Sequence, residues 1–155
     1  MYKDDLTEEQ IKETMPSFCI MDLMIRGMMR GKVVKELVDN GIKVHLVGGG
    51  WEELECEHPE NMVLYGTMNS KGCLEIQRKS KINLNVMPWF KDGAHDRVFN
   101  SILNDAVCVS DESRYLREEL AEGEGLCYYD LSQLEELPKL VKSLLVDEKR
   151  REEIL

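Results

Sequence analysis

Apolar positions along the chain fall into two alternating rhythms. Short, nearly continuous apolar runs at Ile42–Val47, Met62–Tyr65, Ile82–Val86, Ala106–Val109 and Leu126–Tyr129 read as strands. Ser17–Asp22 (SFCIMD) reads either as one more strand or as the start of the helix after it. Between the runs the spacing changes to threes and fours. Met24, Ile25, Met28, Val33, Val34, Leu37 and Val38 predict a helix over Met24–Asn40, stopped at Asn40-Gly41. Asn69 or Ser70 caps a helix through Lys79, and Val98, Phe99, Ile102 and Leu103 place one over Asp96–Asn104. Further helices are expected over Glu112–Ala121, over Leu131–Val146 (with Pro138 shifting its start or kinking it) and over Asp147–Leu155.

Strands alternating with helices predict an α/β fold, a doubly wound parallel sheet with helices on both faces. Ile42–Val47 is apolar enough to be covered on both sides. Residues 1–16 read as a linker or short helix with a Thr7–Gln10 capping-box pattern, ended by Pro16. Residues 17–155 read as one domain, with no internal repeat.

One stretch concentrates polar chemistry. Between the runs at Ile82–Val86 and Ala106–Val109 lie Asp92, Gly93, His95, Asp96, Arg97 and Asn100, in the loop after a strand and the first turns of the next helix. In open α/β sheets ligands bind outside the carboxyl ends of strands. A helix N-terminus there offers free N–H groups and partial positive charge to an anion.

Composition narrows the reading. Of 155 residues, 43% are hydrophobic and 32% charged, as in a globular domain, and the net charge is −10. Without a long basic run, a general nucleic-acid surface or an anionic-membrane surface is disfavoured. The five cysteines are odd in number and show no CxxC spacing. They read as reduced thiols in a cytoplasmic protein, with Cys19, Cys108 and Cys127 as small core residues. His45, His58 and His95 are scattered, and no metal-ligand spacing stands out. Met1–Glu13 is polar and acidic, unlike a signal peptide, and no apolar run reaches the ~20 residues of a membrane span. The nine methionines read as core filler.

The ordered series GGGW, a strand ending in YG, INLNVMP, DG…N, VCVSD, ESRYL, GEGLCYYD and ELPKLVKSLL resembles the C-terminal, donor-binding domain of GT-B glycosyltransferases. More narrowly it is similar to the group-1 transferases related to spore-maturation glycosyltransferases. The resemblance runs from about Ser17 to the C-terminus. It implies a Rossmann-like half of a GT-B fold that binds a nucleotide-diphosphate sugar without a metal or other cofactor. It also implies a partner: an N-terminal acceptor domain of the same protein, missing from this chain. Many retaining members carry two glutamates separated by seven residues, the first followed by Gly. Here Asp92-Gly93 and Asn100 hold those positions, and Asp105 stands where such proteins usually have Gly.

The same resemblance assigns provisional roles. Asp92 would face the sugar, and His95 and Arg97 would neutralise the diphosphate leaving group beside the N–H groups of Gly93 and Ala94. Asn100 would accept from a ribose hydroxyl. Gly66, Thr67 and Met68 would line the base, and Gly48, Gly49 and Gly50 would allow close approach of the donor. Plainer readings stand beside these. His95 caps its helix, Arg97 pairs with Asp96 or Asp92, Asp92 is a turn residue, Asn100 faces water, and Gly48–Gly50 is only a turn. Arg26, Arg30 and Lys32 form a basic patch on the first helix, as phosphate ligands or as a solvated face. Trp51 either stacks on a base or packs over the sheet edge. A different class, a non-catalytic nucleotide-binding or regulatory module, uses the same fold.

Overall fold

The computed structural model describes residues 6–155. Its first element is α1 (Glu8–Asp39), capped by Thr7, whose hydroxyl accepts from Gln10 N–H while the Gln10 side chain takes the Thr7 N–H. Five parallel strands follow: β1 (Val44–Leu46), β2 (Met62–Leu64), β3 (Ile82–Asn85), β4 (Val107–Asp111) and β5 (Leu126–Tyr129). The intervening helices are α2 (Ser70–Lys79), α3 (Asp96–Leu103), α4 (Arg114–Glu119), α5 (Leu137–Val146) and α6 (Glu148–Ile154). Hydrogen bonding divides the strands into a pair, β1-β2, and a triplet, β3-β4-β5.

The predicted α/β class holds, with parallel strands and helices around them. Alternation in β4 and β5 explains the two layers. Val107, Val109, Cys127 and Tyr129 join Val33 and Leu37 of α1 and Leu137, Val141 and Leu144 of α5 on one face. Cys108, Leu126 and Tyr128 point the other way, onto Val98 of α3 and Leu116 of α4. Val44 of β1 packs on the first of these clusters alongside Ile82 and Leu84 of β3, so one core runs beneath both sheets. A smaller cluster of Val34, Val38 and Leu46, covered by Trp51, Leu54 and Met62, closes the β1-β2 end. Trp51 therefore packs at the sheet edge, its Nε1 donating to Val47 O at 3.3 Å.

The amino-terminal third departs from expectation. Pro16 does not end a helix, and Ser17–Asp22 is not a strand: both lie inside α1. Proline removes one i→i−4 bond and costs a helix interior about 3 kcal/mol. Here the affected turn is exposed, so the released carbonyl faces water, and helix-forming neighbours continue on both sides. Of the expected stretch over residues 2–15, residues 2–5 lie outside the described ones. Cys19 is exposed rather than core, as are Met15, Met21, Met24 and Met28, whereas Met87, Cys108 and Cys127 are buried.

Smaller differences have local causes. β1 is not covered on both faces: His45 is exposed and stacks on Tyr65, with Nδ1 2.8 Å from the phenol oxygen. Pro138 shifts the start of α5, since Pro fits the first turn, and a 3₁₀ turn (Leu134–Glu136) takes the place of the expected earlier turns. Asn40-Gly41 ends α1 as predicted, with Gly41 left-handed at φ 77° and Ile42 N–H returning to Leu37 O. Asp105, between α3 and β4, is the one non-glycine described residue at positive φ, 55°.

Candidate functional site

The loop after β3 is fixed by a carboxylate buried at the end of β4. Asp111 is 1% exposed. Its Oδ1 accepts from Met87 N–H at 2.5 Å and its Oδ2 from Lys91 Nζ at 3.0 Å. Lys91 Nζ also donates to Glu112 O, and Lys91 O accepts from Arg114 N–H. Further along, Ser113 Oγ donates to Gly93 O at 2.6 Å and caps α4 by accepting from Leu116 N–H. The loop is thus tied to the β4–α4 turn at Met87, Lys91 and Gly93. Trp89 and Phe90 remain exposed on it.

Beneath the loop lies a second buried polar group. Asn85, the last residue of β3, is fully buried and donates to Ser110 Oγ at 2.9 Å. Ser110 Oγ donates in turn to Asp111 O, and Tyr129 Oη donates to Asn85 O. Asn85 Oδ1 accepts from Arg97 at 3.2 Å, the one side-chain hydrogen bond of Arg97 among the described residues. The sheet therefore supplies a polar platform that positions the Arg97 guanidinium at its carboxyl edge.

Electrostatics converge at that guanidinium. Burial lowers the Arg97 pKa, and the nearby Arg30 charge on α1 lowers it further. His95 is pulled below its ordinary value first by burial, then by Arg97, with Arg30 adding to it; Asp96 acts in the opposite sense. His95 caps α3, its Nδ1 accepting from Arg97 N–H at 3.2 Å, and the same nitrogen lies 2.5 Å from Asp96 Oδ1. The amide bond needs an unprotonated Nδ1 and the carboxylate contact favours a protonated one. Asp96 is largely exposed, so solvent screens it, and the buried bond to the amide together with two arginines sets a neutral ring. Arg30 is half-buried and makes no ion pair among the described residues. The Arg97 and Arg30 charges and the start of α3, beside a neutral imidazole, thus give this corner a positive potential on a chain of net charge −10. An anion is the chemical complement of that corner.

The other predicted positions separate into groups. Gly93 lies at the loop's end, where an added Cβ would come within 2.5 Å of the Phe90 ring, and Ala94 packs on the Val98–Leu116 cluster. Asp92 is exposed and makes an ion pair with Arg114 at 3.0 Å. Asn100 is half-buried one turn into α3 and reaches Asp96 Oδ2 only at 3.5 Å. Gly48 and Gly66 meet through Gly48 N–H to Gly66 O, 2.7 Å, both with positive φ, whereas Gly49 is exposed and Thr67 faces solvent. Met68 leads into α2, which packs on α3 and brings Cys73 close enough to Arg97 to act on its charge. Sequence reading missed Asn85, Ser110 and Asp111. The available signal was Asn83 and Asn85 alternating with Ile82 and Leu84 in a strand otherwise read as apolar.

No group of three or more His, Cys, Asp or Glu side chains suited to a metal occurs among the described residues. No helix among them is long and apolar enough to cross a membrane.

Parallel strands with helices around them and a basic corner at the carboxyl edge of β3 define an α/β class, and family comparison narrows it. The glycosyl transferase-like family model matches residues 28–155, and the chain belongs to that family. Neither a curated protein nor a solved structure matches the chain.

Proposed function

We propose that the chain is the donor-binding half of a GT-B glycosyltransferase, of the group related to spore-maturation enzymes. It binds a nucleotide-diphosphate sugar at the carboxyl edge of the sheet. The observation that carries this reading is the Arg97 guanidinium, held by Asn85 Oδ1 at 3.2 Å beside the His95 cap of α3; the Arg30 charge acts on both side chains. The diphosphate would lie against the two guanidiniums and the first N–H groups of α3, which stabilise charge on the leaving group as the glycosidic bond breaks. Gly48, Gly66, Thr67 and Met68 would border the base, and Asn100 the ribose. The acceptor would come from a second domain of the same protein, so the chain alone would bind donor but transfer poorly. No metal takes part in the step, since the guanidiniums serve the diphosphate.

A second reading, a nucleotide-binding module without transfer, is favoured by two features. Asp92 is engaged by Arg114, and Asn100 lacks the charge of the glutamate that many relatives would place there. Titration calorimetry with UDP, GDP and ADP tests the shared core of both readings. Saturable binding of one diphosphate, weakened about 10- to 150-fold in Arg97→Ala as for a charge-assisted contact of ~1.5–3 kcal/mol, supports it. Absence of binding to all three in the chain joined to its acceptor half contradicts it.

A further inference from the structure

Arg97 carries its charge to the sheet edge with no carboxylate to answer it. Among the described residues it makes no ion pair. Of its five N–H donors, one is taken by a side chain, Asn85 Oδ1 at 3.2 Å. The acids of this edge are engaged elsewhere. Asp111 holds Met87 N–H and Lys91, Asp92 pairs with Arg114, and Asp96, 77% exposed, lies against His95. A half-buried guanidinium without a counter-charge is costly in a folded chain, and burial lowers its pKa here.

The group that holds Arg97 is a neutral acceptor, and its orientation is set from behind. Asn85 is 0% exposed, so its amide is out of reach of a ligand. Ser110 Oγ has one proton and donates it to Asp111 O at 2.8 Å, so toward Asn85 it can only accept. Asn85 Nδ2 therefore faces Ser110, at 2.9 Å, and Oδ1 faces the guanidinium. Tyr129 Oη donates to Asn85 O and pins the backbone at the same residue. An aspartate has the same size and would take the same place. It would also cancel the Arg97 charge, whereas the amide supplies a hydrogen bond and leaves the charge whole.

We infer that Asn85 is a positioning residue that sets the charge of the ligand: oriented by Ser110, it aims Arg97 through a neutral bond and keeps the full guanidinium charge for an anion at the start of α3. The inference rests on the anion-binding reading of this corner. Calorimetry with inorganic pyrophosphate and with UDP, GDP and ADP tests it on Asn85→Asp, with Arg97→Ala beside it. Asn85→Asp should weaken binding about tenfold or more, as the loss of a charge-assisted contact requires. Urea unfolding supplies a readout without ligand. Asn85→Asp should lose little stability beside Arg97 and much more when Arg97 is replaced by Met, since the carboxylate is then buried alone; equal losses overturn the inference. Ser110→Ala, which frees the amide to turn, should weaken pyrophosphate binding severalfold, and if Asn85→Asp does not fold, unchanged affinity in Ser110→Ala overturns the inference. Pyrophosphate and nucleotide affinity unchanged in Asn85→Asp but lost in Arg97→Ala overturns it and leaves the donor-site reading standing. Pyrophosphate binding that falls in Asn85→Asp, with no nucleotide bound by the wild type, supports it and removes the donor-site reading. A wild-type chain that binds none of the four overturns both.

Discussion

The arm of α1, its part before Val33, and the carboxyl edge of the β3-β4-β5 sheet are mirror images in composition. The arm exposes Phe18, Leu23 and Met24 to water, while the edge buries Asn85, Ser110 and Asp111. Each inverts the ordinary partition of apolar and polar groups. The inversions are held differently. At the edge every buried polar group named has partners, so it is rigid and positions Arg97. None of the described residues of α1 before Val33 is buried, and the side-chain ion pairs among them are two of i,i+4 spacing, Glu8–Lys12 and Asp22–Arg26. A buried polar network marks a site complete within the chain, whereas an exposed apolar helix marks one that needs another surface.

Substitutions should separate the two regions. The largest effect is expected from Asp111→Ala, which strips Met87 N–H and Lys91 of their acceptor. A loss of about 3 kcal/mol in urea unfolding follows from the ~1.5–3 kcal/mol of each charge-assisted bond, reduced because Lys91 is half exposed. Gly125→Ala comes next. Gly125 has φ 76°, and an added Cβ would sit 2.7 Å from Ile102 Cγ1, so about 2 kcal/mol should be lost through strain and overpacking. Asp105→Gly should act in the opposite sense. It relieves a left-handed aspartate at φ 55° and should raise stability by about 0.5–1 kcal/mol. Phe18→Glu in the arm should leave unfolding of the body within about 0.5 kcal/mol of wild type. A large loss there would mean that the arm belongs to the core and would remove the comparison.

Titration offers a subtler distinction. His95 has a depressed pKa when the corner is empty, because of burial and the two arginines. The unfolded chain therefore binds this proton more readily, and His95 subtracts stability as pH falls through about 6.5. On the proposed reading a diphosphate held at this corner would raise the His95 pKa, so binding would take up a proton and affinity should strengthen from pH 8 to pH 6. His95→Gln should flatten that dependence. Thiol reactivity makes the same contrast: burial pushes Cys108 up to about 12, so it should resist a disulfide reagent in the native chain, while exposed Cys19 reacts at once.

The sheet was legible because β4 and β5 are apolar runs of strand length, and β5 falls on the predicted Leu126–Tyr129. The helix-first start was not, because Pro16 and the apolar SFCIMD run mimic a break and a strand when solvent exposure is unknown. At the site, local sequence placed His95 and Arg97 at the head of α3. It could not show that the Arg30 charge on α1 acts on them, since that coupling joins residues far apart in sequence and periodicity carries no long-range distance. Asp105 is instructive in the same way. Its left-handed backbone is visible only in φ.

The most direct test of the central claim is a double-mutant cycle on Arg30 and Arg97, read by calorimetry with the preferred nucleoside diphosphate and its monophosphate. The account predicts that each Arg→Ala weakens diphosphate binding about tenfold or more, at ~1.4 kcal/mol per decade, with a smaller effect on the monophosphate and a coupling between the two sites. Diphosphate affinity unchanged in both variants would contradict the assignment of this corner as the donor site.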